Sequence, residues 1–335
     1  MSYRISTLAG IAFLGIFLTG SGYAAAKTDS RAKQQFVKEM VRNYKFQHAE
    51  LNKLLDQAQY QEKIVEAITR PAEAKPWHEY RDIFLTPTRI TGGHEFWLQH
   101  RETLLRAEQK YGVPAEIIIA ILGVETRYGE HTGNYRVLDA LYTLAFHYPR
   151  RGAFFRKELR EFLLLAREEN VDPLSIKGSY AGALGEPQFM PSSYRRYAVD
   201  FNNDGKRDLM NNTADAIGSI ANYFKKHKWQ TGAAITTQAQ ADSKKLRSLI
   251  KLGINPKTPL AKLEQQGIIP RDKNLPPAAL GAVIELENTD GPEHWIGLKN
   301  FYVITRYNHS PLYAMAVYQL SQQILAARSA DKQAN

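Results

Sequence analysis

Glu125 is the residue of this sequence whose type and position best suit acid–base chemistry. It lies near the end of the apolar run at residues 116–129, and Ile121 and Leu122 stand four and three positions before it. On a helix this spacing places the carboxyl at the end of an apolar stripe, at the edge of a core. Because the neighbouring helical positions carry no cation, we expect burial to raise the pKa of Glu125 and to keep its proton near neutral pH, as a general acid requires. A structural glutamate paired with a distant arginine or lysine is the alternative.

A glycine-rich segment at residues 178–194 is the second candidate for a functional region. Gly178, Gly182 and Gly185 let the backbone approach a ligand closely, and Gln188 offers both a hydrogen-bond donor and an acceptor. An ordinary Gly/Pro-rich loop is the alternative, although it does not account for the Phe-Met pair that follows Gln188.

The segment at residues 200–208 has the spacing of a calcium-binding loop. Oxygen-bearing side chains occupy its positions 1, 3, 5 and 9, and Gly205 occupies position 6, as in an EF-hand. Position 12 is Asn211, which cannot supply the bidentate carboxylate of that pattern. The loop therefore predicts a calcium site with an altered closing ligand. A turn held by bonds from Asp and Asn side chains to the backbone is the alternative.

Other common catalytic chemistries lack their parts in this sequence. His94-Glu95 resembles the start of a zinc motif, but Leu98 stands where H-E-x-x-H needs its second histidine. No G-x-S-x-G nucleophile elbow, phosphate-binding loop or dinucleotide fingerprint occurs. The chain has no Cys, which excludes disulfides and a lipid-modified cysteine.

Helices are predicted to position these residues. Apolar residues recur at helical spacing along most of the chain, and Pro or Gly stands at several of the expected ends. Pro114 suits the first position of the helix that carries Glu125, and Glu116 suits its first turn. Helical spacing covers residues 31–70, 94–111, 113–125, 137–147, 154–169, 213–226 and 312–326.

The sequence changes character after Trp229. Residues 230–300 hold most of the Pro and Gly of the second half of the chain, and apolar runs there are short enough for strands. The fold class that follows is mainly α, of the α+β type, with a small mixed insertion. The predicted elements of this part are helices at 244–251 and 259–266, strands at 282–287, 295–298 and 301–306, and a hairpin turn at 288–291.

The N-terminus has the pattern of an export signal. Arg4 precedes an apolar stretch at residues 8–18, and three Ala at residues 24–26 suit a cleavage site. The apolar stretch is short for a membrane span, so residues 1–26 predict a removed signal peptide. We therefore expect a soluble periplasmic or secreted protein without a stable membrane anchor.

The charge of the chain predicts an anionic partner. Removing residues 1–26 removes one of the 44 basic residues and none of the 34 acidic ones, which leaves a net charge of +9. The basic residues are dispersed and no nucleic-acid-binding module is present. For an exported protein an acidic cell-wall polymer therefore fits better than nucleic acid. A merely solvated basic surface is the alternative.

Four blocks of this sequence resemble the lytic murein transglycosylase B family. They are Val124-Glu-Thr-Arg-Tyr-Gly129, Gly182-Ala-Leu-Gly-Glu-Pro-Gln-Phe-Met-Pro-Ser-Ser193, Asp215-Ala-Ile-Gly-Ser-Ile-Ala-Asn-Tyr-Phe224 and Ile304-Thr-Arg-Tyr-Asn308. The resemblance covers nearly all of the chain after the signal peptide, with the blocks in the expected order. It implies a helical N-terminal domain at 27–105, a lysozyme-like core at 106–230 with an EF-hand-like loop at 200–215, a small α/β insertion at 231–300, and a C-terminal strand and helix at 301–335 that complete the core.

The resemblance implies that one carboxyl performs the reaction. Enzymes of this family cleave the MurNAc-β-1,4-GlcNAc bond of peptidoglycan without water and leave 1,6-anhydro-MurNAc ends. Glu125 matches the family's catalytic glutamate, which acts as acid and then as base, with no catalytic cofactor. A lysozyme-type hydrolase would need a second acid, for which Glu130 and Asp139 are nearest in sequence. A non-catalytic peptidoglycan-binding protein is a further alternative.

Several binding residues carry over from the family by motif. The resemblance implies that the partner is the glycan strands of peptidoglycan. We expect the protein to be a monomer. Arg150 and Arg151 suit the carboxylates of muramic acid or its peptide, or else cap a helix. Glu186 places a charge where the family pattern leads us to expect a neutral residue. The implied sugar contacts are Ser179, Gln188, Tyr223, Tyr307, Asn308, Tyr313 and, by a weaker match, Tyr80, and the implied calcium ligands are Asp200, Asn202, Asp204, the Lys206 carbonyl and Asp215 as the closing acid.

Overall fold

The computed structural model describes residues 20–69, 75–242 and 244–334, and helices make up most of this part of the chain. The fold is mainly α with one small sheet, as predicted. The helices are α1 (Gly20–Tyr44), α2 (His48–Leu55), α3 (Glu62–Ile68), α4 (Trp77–Phe84), α5 (Pro87–Gln99), α6 (Arg101–Tyr111), α7 (Ala115–Thr126), α8 (Val137–His147), a 3₁₀ turn (Pro149–Arg151), α9 (Gly152–Glu168), α10 (Pro191–Tyr197), α11 (Thr213–Lys226), α12 (Leu246–Ile250), α13 (Leu260–Glu264), α14 (Lys299–Ile304) and α15 (Pro311–Ala334).

The strands form one two-stranded ribbon and one five-stranded sheet. The sheet has the order β4-β6-β7-β3-β5, and each neighbouring pair is antiparallel. Asn288 pairs with Gly291 at the end of the β6–β7 hairpin, which confirms the predicted turn. The strands are β1 (Tyr135–Arg136), β2 (Lys177–Gly178), β3 (Thr236–Ala241), β4 (Thr258–Pro259), β5 (Ile268–Pro270), β6 (Leu280–Asn288) and β7 (Gly291–Gly297).

The predicted strand at residues 301–306 is wrong. The segment forms α14, which buries Phe301, Val303 and Ile304 in the main core. Asn300 bonds the backbone of Gln230, accepting from its N–H at 2.8 Å and donating to its carbonyl at 2.8 Å. These tertiary contacts outweigh the β propensity of the apolar residues, because that propensity depends strongly on context.

The predicted helix at residues 94–111 is two helices. The chain leaves the helical conformation at His100, which separates α5 from α6. Helix α5 begins at Pro87, where the Thr86 side chain accepts the N–H of Arg89 as an N-cap. Gly92 and Gly93 therefore lie inside α5 rather than before it.

Helix α7 lies in the centre of the main hydrophobic core. Each of its residues is buried except Glu116 and Glu125, and helices α5, α6, α11 and α15 pack around it. Pro114 is its N-cap rather than its first helical residue. A buried helix of this kind gives its end a fixed position, which is a requirement for a catalytic group.

Strand β6 separates two hydrophobic cores. Ile284 and Leu286 point to one face and belong to the main core, whereas Val283 belongs to a smaller cluster with Leu260, Leu263 and other residues of the insertion. This division follows from the alternation of side chains along a strand. The strands β3–β7 all lie within the predicted insertion, while the predicted domain boundaries stay predictions.

Residues 1–19 of the predicted signal peptide lie outside the described residues, and α1 begins at Gly20. Among the helices that the structure describes, none combines the length and the apolar character needed to cross a membrane. Cleavage after residue 26 stays a prediction.

Candidate active site

The end of α7 holds Glu125 next to an unusual turn. Helix α7 ends at Thr126, and Arg127, Tyr128 and Gly129 all have left-handed φ angles of 49°, 61° and 94°. The N–H groups of Arg127 and Tyr128 both donate back to the carbonyl of Leu122, that of Tyr128 at 3.0 Å. Left-handed backbone at two consecutive non-glycine residues is costly, and such conformations concentrate at functional sites.

Tyr313 contacts Glu125 directly. The hydroxyl of Tyr313, in the first turn of α15, donates to Oε1 of Glu125 at 2.6 Å. Burial raises the pKa of Tyr313 and of Tyr307 well above the ordinary value for tyrosine, and the charge of Glu125 adds to both shifts. Both phenols are therefore neutral donors at physiological pH, within electrostatic reach of a half-buried carboxyl.

Two further tyrosine rings lie in a row with Tyr313. Tyr307 lies nearly parallel to Tyr313, with centroids 6.4 Å apart, and Tyr223 follows at 5.0 Å from Tyr307. The hydroxyl of Tyr307 donates to the carbonyl of Pro187 at 2.6 Å, and that of Tyr223 to the carbonyl of Arg306 at 2.5 Å. The structure thus brings Tyr223, Tyr307 and Tyr313 together, and two of the three hydroxyls also fix the glycine-rich segment and the C-terminal motif.

Tyr80 is buried, as are Tyr313 and Tyr223. It is only 1% exposed, and it packs against Trp77 and Phe84 of its own helix. Its electrostatic interaction with Tyr313 adds slightly to the raised pKa of Tyr313, after burial and Glu125, so the two rings are neighbours. Its role as a sugar contact stays a prediction, and in this conformation its position suits support of Tyr313.

The glycine-rich segment holds Ser179 and Gln188 in a tight loop. The Ser179 hydroxyl accepts the N–H groups of Ala181 at 3.3 Å and Ala183 at 3.0 Å. The amide nitrogen of Gln188 donates to the carbonyls of Thr132 at 3.0 Å and Gly185 at 2.9 Å, and its backbone has a φ of 50°. These bonds fix the orientation of the Gln188 amide, so that its oxygen is the atom left to accept from a ligand.

Arg150 and Arg151 are exposed cations beside the C-terminal motif. They lie on the 3₁₀ turn, and the Arg151 guanidinium stacks 4.4 Å from the ring of Phe154. In the part of the chain that the structure describes, neither pairs with a carboxylate. Arg151 helps to lower the pKa of His309, after burial and Arg306, which places it near the segment that contains Asn308. Both guanidinium groups are available to an anionic ligand.

The loop at residues 200–208 is closed by Asp215. Asp200 accepts the N–H groups of Asp204 at 3.1 Å and Gly205 at 2.8 Å, and Gly205 has a φ of 89°. The fully buried Asp215 accepts the N–H of Phe201 at 2.7 Å. The second oxygen of Asp215 accepts the N–H of Asp208 at 2.8 Å, and Asn202 and Asp204 each accept from the loop as well.

These oxygen donors fit calcium in chemical type, since calcium prefers carboxylate, amide and carbonyl oxygens. Within the described ranges no group of three acidic or histidine side chains is close enough to hold a metal. The proposed set therefore depends on Asn202 and the Lys206 carbonyl in addition to the acids. The bonds from the loop N–H groups orient the carboxylates, as partners behind metal ligands commonly do.

Glu186 joins the loop region to α7. Its carbonyl accepts the hydroxyl of Thr126 at 2.9 Å, and Thr126 in turn accepts the N–H of Gly129 at 3.0 Å. Its carboxyl accepts the hydroxyl of Thr213 at 2.8 Å, whereas Oε2 is buried without a hydrogen-bond partner. Burial raises the pKa of this carboxyl, and the charge of Asp208 adds to the shift. Sequence reasoning missed Thr126 as the link, because no motif signals a bond across 60 residues.

The two other acids considered near Glu125 have different surroundings. Asp139 is buried on α8, where it pairs with Arg136 at 2.6 Å and accepts the N–H of Gln59 at 2.9 Å. Glu130 is exposed beyond the left-handed turn. Asp139 is thus committed to a structural ion pair.

The comparisons with known proteins indicate the same class of protein as the geometry of this site does. A family model described as the transglycosylase SLT domain matches residues 28–322. The membrane-bound lytic murein transglycosylase B of Escherichia coli (strain K12) is 44% identical over 305 residues, which are 88% of this chain and 83% of the relative. The chain therefore belongs to the SLT-domain family of lytic transglycosylases, and the resemblance to the murein transglycosylase B group is confirmed.

Solved structures confirm the lysozyme-like fold. The soluble lytic transglycosylase SltB1 from Pseudomonas aeruginosa is 51% identical, with a TM-score of 0.82 over 88% of this chain and 98% of that chain. The Escherichia coli lytic transglycosylase Slt35, in a structure with calcium, is 43% identical, with a TM-score of 0.79 over 89% of this chain and 94% of that chain.

Proposed function

We propose that this protein is a lytic transglycosylase that cleaves the MurNAc-β-1,4-GlcNAc bond of peptidoglycan and leaves 1,6-anhydro-MurNAc ends. The observation that carries the proposal is the half-buried carboxyl of Glu125, which accepts a hydrogen bond from Tyr313 at 2.6 Å beside a row of tyrosine rings. Aromatic rings suit the faces of sugar residues. The export pattern of the N-terminus supports a periplasmic location, where peptidoglycan is found.

Glu125 acts first as the acid. Its protonated carboxyl donates to the glycosidic oxygen, the bond from C1 of MurNAc to that oxygen breaks, and the GlcNAc end leaves as an alcohol. Tyr313 donates its hydrogen bond to the carboxylate that forms, and charge-assisted bonds of this kind are roughly twice as strong as neutral ones. The structure thus supplies stabilisation at the atom where negative charge develops.

Glu125 acts second as the base. Its carboxylate takes the proton from the 6-hydroxyl of the same MurNAc residue, and the oxygen of that hydroxyl attacks C1 to close the 1,6-anhydro ring. Because nucleophile and electrophile belong to one sugar, their effective concentration is high and no second carboxylate is required. The carboxyl returns to its protonated state, so the cycle balances without water or a cofactor.

The remaining candidate residues bind the substrate in this proposal. The oxygen of the Gln188 amide, together with Asn308, suits the acetamido groups of the sugars. Arg150 and Arg151 suit the lactyl or peptide carboxylates. Ser179 shapes the loop that presents Gln188.

We further propose a structural calcium ion in the loop at residues 200–208. Asp200, Asn202, Asp204, the Lys206 carbonyl and Asp215 would hold it. A bound ion supplies charge neutralisation for the acids of the loop and takes no part in the reaction. The calcium complex of Slt35 and the oxygen-rich loop of this chain support the proposal.

Product analysis tests the function. Purified peptidoglycan is digested and the new ends are weighed by mass spectrometry. We expect ends one water lighter than hydrolysed MurNAc, and we expect Glu125→Gln to lower the rate by ~10²–10⁴-fold, because Gln cannot transfer a proton. Glu130→Gln is the matched control, since it removes an exposed acid five residues further along the chain. Hydrolysed ends would instead indicate a lysozyme-type reaction, and binding without cleavage would indicate a non-catalytic protein.

A further inference from the structure

Arg89 is a buried cation without a place in the chemistry described so far. It lies in the first turn of α5 and is 9% exposed. In the described part of the chain it forms no ion pair, and burial lowers its pKa, with Arg127 as the next cause. Burying a guanidinium is costly unless its donors are satisfied, so its hydrogen-bond partners explain why it is there.

The partners of Arg89 are the ends of two helices. Its Nε donates to the carbonyl of Gly123 at 2.8 Å, and its Nη1 donates to the carbonyl of Ile83. Gly123 lies in the last turn of α7, and Ile83 lies in the last turn of α4. Carbonyls in the last turn of a helix lack intrahelical partners, and a cation there also complements the helix dipole. One guanidinium therefore caps both helices.

The capped carbonyl of α7 is two residues from Glu125. The N–H groups of Arg127 and Tyr128 both bond the carbonyl of Leu122 instead, so the end of α7 depends on Arg89 for the Gly123 carbonyl. Helix α4, the second helix that Arg89 caps, carries Tyr80, whose ring lies near Tyr313. Arg89 thus bonds to two helices. One is α7, which carries Glu125, and the other is α4, which carries Tyr80 next to Tyr313.

Tyr128 completes the arrangement from the left-handed turn. Its hydroxyl donates to the carbonyl of Arg89 at 2.6 Å. The ring fills a slot in which a Cβ at Gly93 or Gly123 would come within 2.7 Å and 2.6 Å of its hydroxyl oxygen. The strained backbone at residues 127–129 is therefore held by a side chain that returns to α5.

We infer that Arg89 is a positioning residue for the transglycosylase reaction, and that with Tyr128 it fixes the end of α7 so that Glu125 meets the glycosidic oxygen. The inference rests on the proposed function. Its mechanism is geometric: misplacement of a catalytic group by about 1 Å can cost on the order of 100-fold in rate. The proposed substrate contacts Ser179, Gln188 and Asn308 lie on other elements, so we expect the loss to fall on kcat rather than on KM.

The test compares three variants with wild type on a soluble glycan substrate. Arg89→Met removes both caps, and Arg89→Lys keeps the charge but not the forked geometry. Arg167→Met is the control, because Arg167 donates to the carbonyl of Tyr44 at the end of α1, away from Glu125. We expect kcat of Arg89→Met to fall roughly tenfold to a hundredfold with KM within about twofold, Arg89→Lys to lie between, and Arg167→Met to keep the wild-type kcat.

Two further measurements separate positioning from loss of stability. Hydrogen exchange at the amides of Tyr128 and Gly129 is expected to speed up in Arg89→Met, while the melting temperature stays above the assay temperature. Tyr128→Phe, which removes one hydroxyl, is expected to lower kcat in the same direction, and the double variant to lose less than the sum of the two free-energy changes. A kcat in Arg89→Met and Tyr128→Phe equal to that of Arg167→Met would overturn the inference. An inactive wild type would contradict the proposed function instead.

Discussion

Tyr313 forms a hydrogen bond with Glu125, in addition to its predicted contact with a sugar. Its hydroxyl stabilises the carboxylate form of Glu125 through the 2.6 Å bond, so Tyr313→Phe removes a donor that matters most after proton transfer. We expect kcat to fall about tenfold to a hundredfold, as for the loss of a hydrogen bond to a charged group. The ionised form loses stabilisation, so the alkaline limb of the pH–rate profile is expected to move to higher pH. An unchanged profile with a raised KM would assign Tyr313 to substrate binding only.

The buried carboxyl of Glu186 is expected to make the stability of the folded protein depend on pH. Burial raises its pKa in the folded protein above the ordinary 4.5, so the folded state holds this proton to higher pH than the unfolded state. Its contribution therefore becomes unfavourable as pH rises above 4.5, and the loss is complete above the folded pKa. We expect Glu186→Gln to melt at a higher temperature than wild type at pH 8, with a difference that shrinks below pH 4.5.

Glu158→Gln is the matched control for Glu186→Gln. Glu158 is 2% exposed, and burial raises its pKa too. Both of its oxygens, however, accept from Ser192, at 2.9 Å from the N–H and 2.8 Å from the hydroxyl. An amide there can keep its oxygen on the Ser192 N–H only if its nitrogen donates to the Ser192 hydroxyl, which must then turn from donating to accepting. Because two hydrogen bonds to a charged group are lost, we expect Glu158→Gln to gain less stability than Glu186→Gln. If the melting temperature falls equally in Glu186→Gln and Glu158→Gln, the difference expected between these two carboxyls is wrong.

At the residue scale the sequence predicted Glu125 as the catalytic acid, which stays a prediction, and it missed the hydrogen bond from Tyr313 to this carboxyl. Glu125 was recognisable because its place on an apolar stripe is a local pattern. Tyr313 is 188 residues away, and its bond to Glu125 requires α15 to cross the end of α7. Arg89 carried no sequence signal at all, since an arginine in the first turn of a helix is ordinary. Only packing shows that its donors meet the ends of two other helices.

At the element scale the loop at residues 200–208 and α11 form one unit. Asp215 is both a loop-closing acid and a residue in the first turn of α11, so a ligand of the loop also fixes the start of the helix that carries Tyr223. We expect calcium to raise the melting temperature, and Asp200→Ala or Asp204→Ala to remove that effect. Binding to the folded state alone stabilises by ~2.7 kcal/mol at a hundredfold excess over Kd.

The control for calcium binding is magnesium with the same variants. Calcium accepts six to eight oxygen ligands in flexible geometry, whereas magnesium demands a smaller octahedron, so magnesium is expected to stabilise less. Equal melting temperatures in chelator and in millimolar calcium would show that the loop is a turn held by its own hydrogen bonds.

Most elements were predictable because their periodicity is local. Helices α8 and α11 have the predicted ends, residues 137–147 and 213–226. The prediction failed where tertiary packing decides: α14 adopts a helix that buries Phe301 in the main core, and strands β3 and β5 are too polar or too short to show alternation. Gly92 and Gly93 come just before the predicted helix at 94–111, but they lie inside α5, where a Cβ would come within 3.1 Å and 2.7 Å of atoms of Tyr128.

At the scale of the whole molecule the charge predicts a salt dependence. The net charge of +9 without residues 1–26 attracts an anionic wall polymer at long range, and salt screens this attraction beyond ~8 Å at 0.15 M. We expect activity on whole sacculi to fall as salt rises from low to physiological strength. Activity on a short neutral glycan is expected to change much less, because cleavage there depends on contacts inside the site.

Arg150→Gln/Arg151→Gln is the variant that separates local from global charge. We expect it to weaken binding of peptide-bearing substrate more than of naked glycan. Arg160→Gln/Arg195→Gln also removes two cations, both of them committed to glutamates, and therefore serves as a control for net charge. Equal salt curves on sacculi and on neutral glycan would leave the basic surface as a solubility feature.

Strand β6 contributes side chains to both hydrophobic cores, and this limits which segments can be exchanged between this protein and its relatives. Ile284 and Leu286 fill the main core, while Val283, directly before Ile284, fills the core of the insertion. A chimera that exchanges the insertion as a cassette imports a strand whose inner face was fitted to another enzyme's core. Exchanges should therefore keep the native residues at positions 284 and 286, and grafts that replace them are expected to express poorly even when the new insertion is sound by itself.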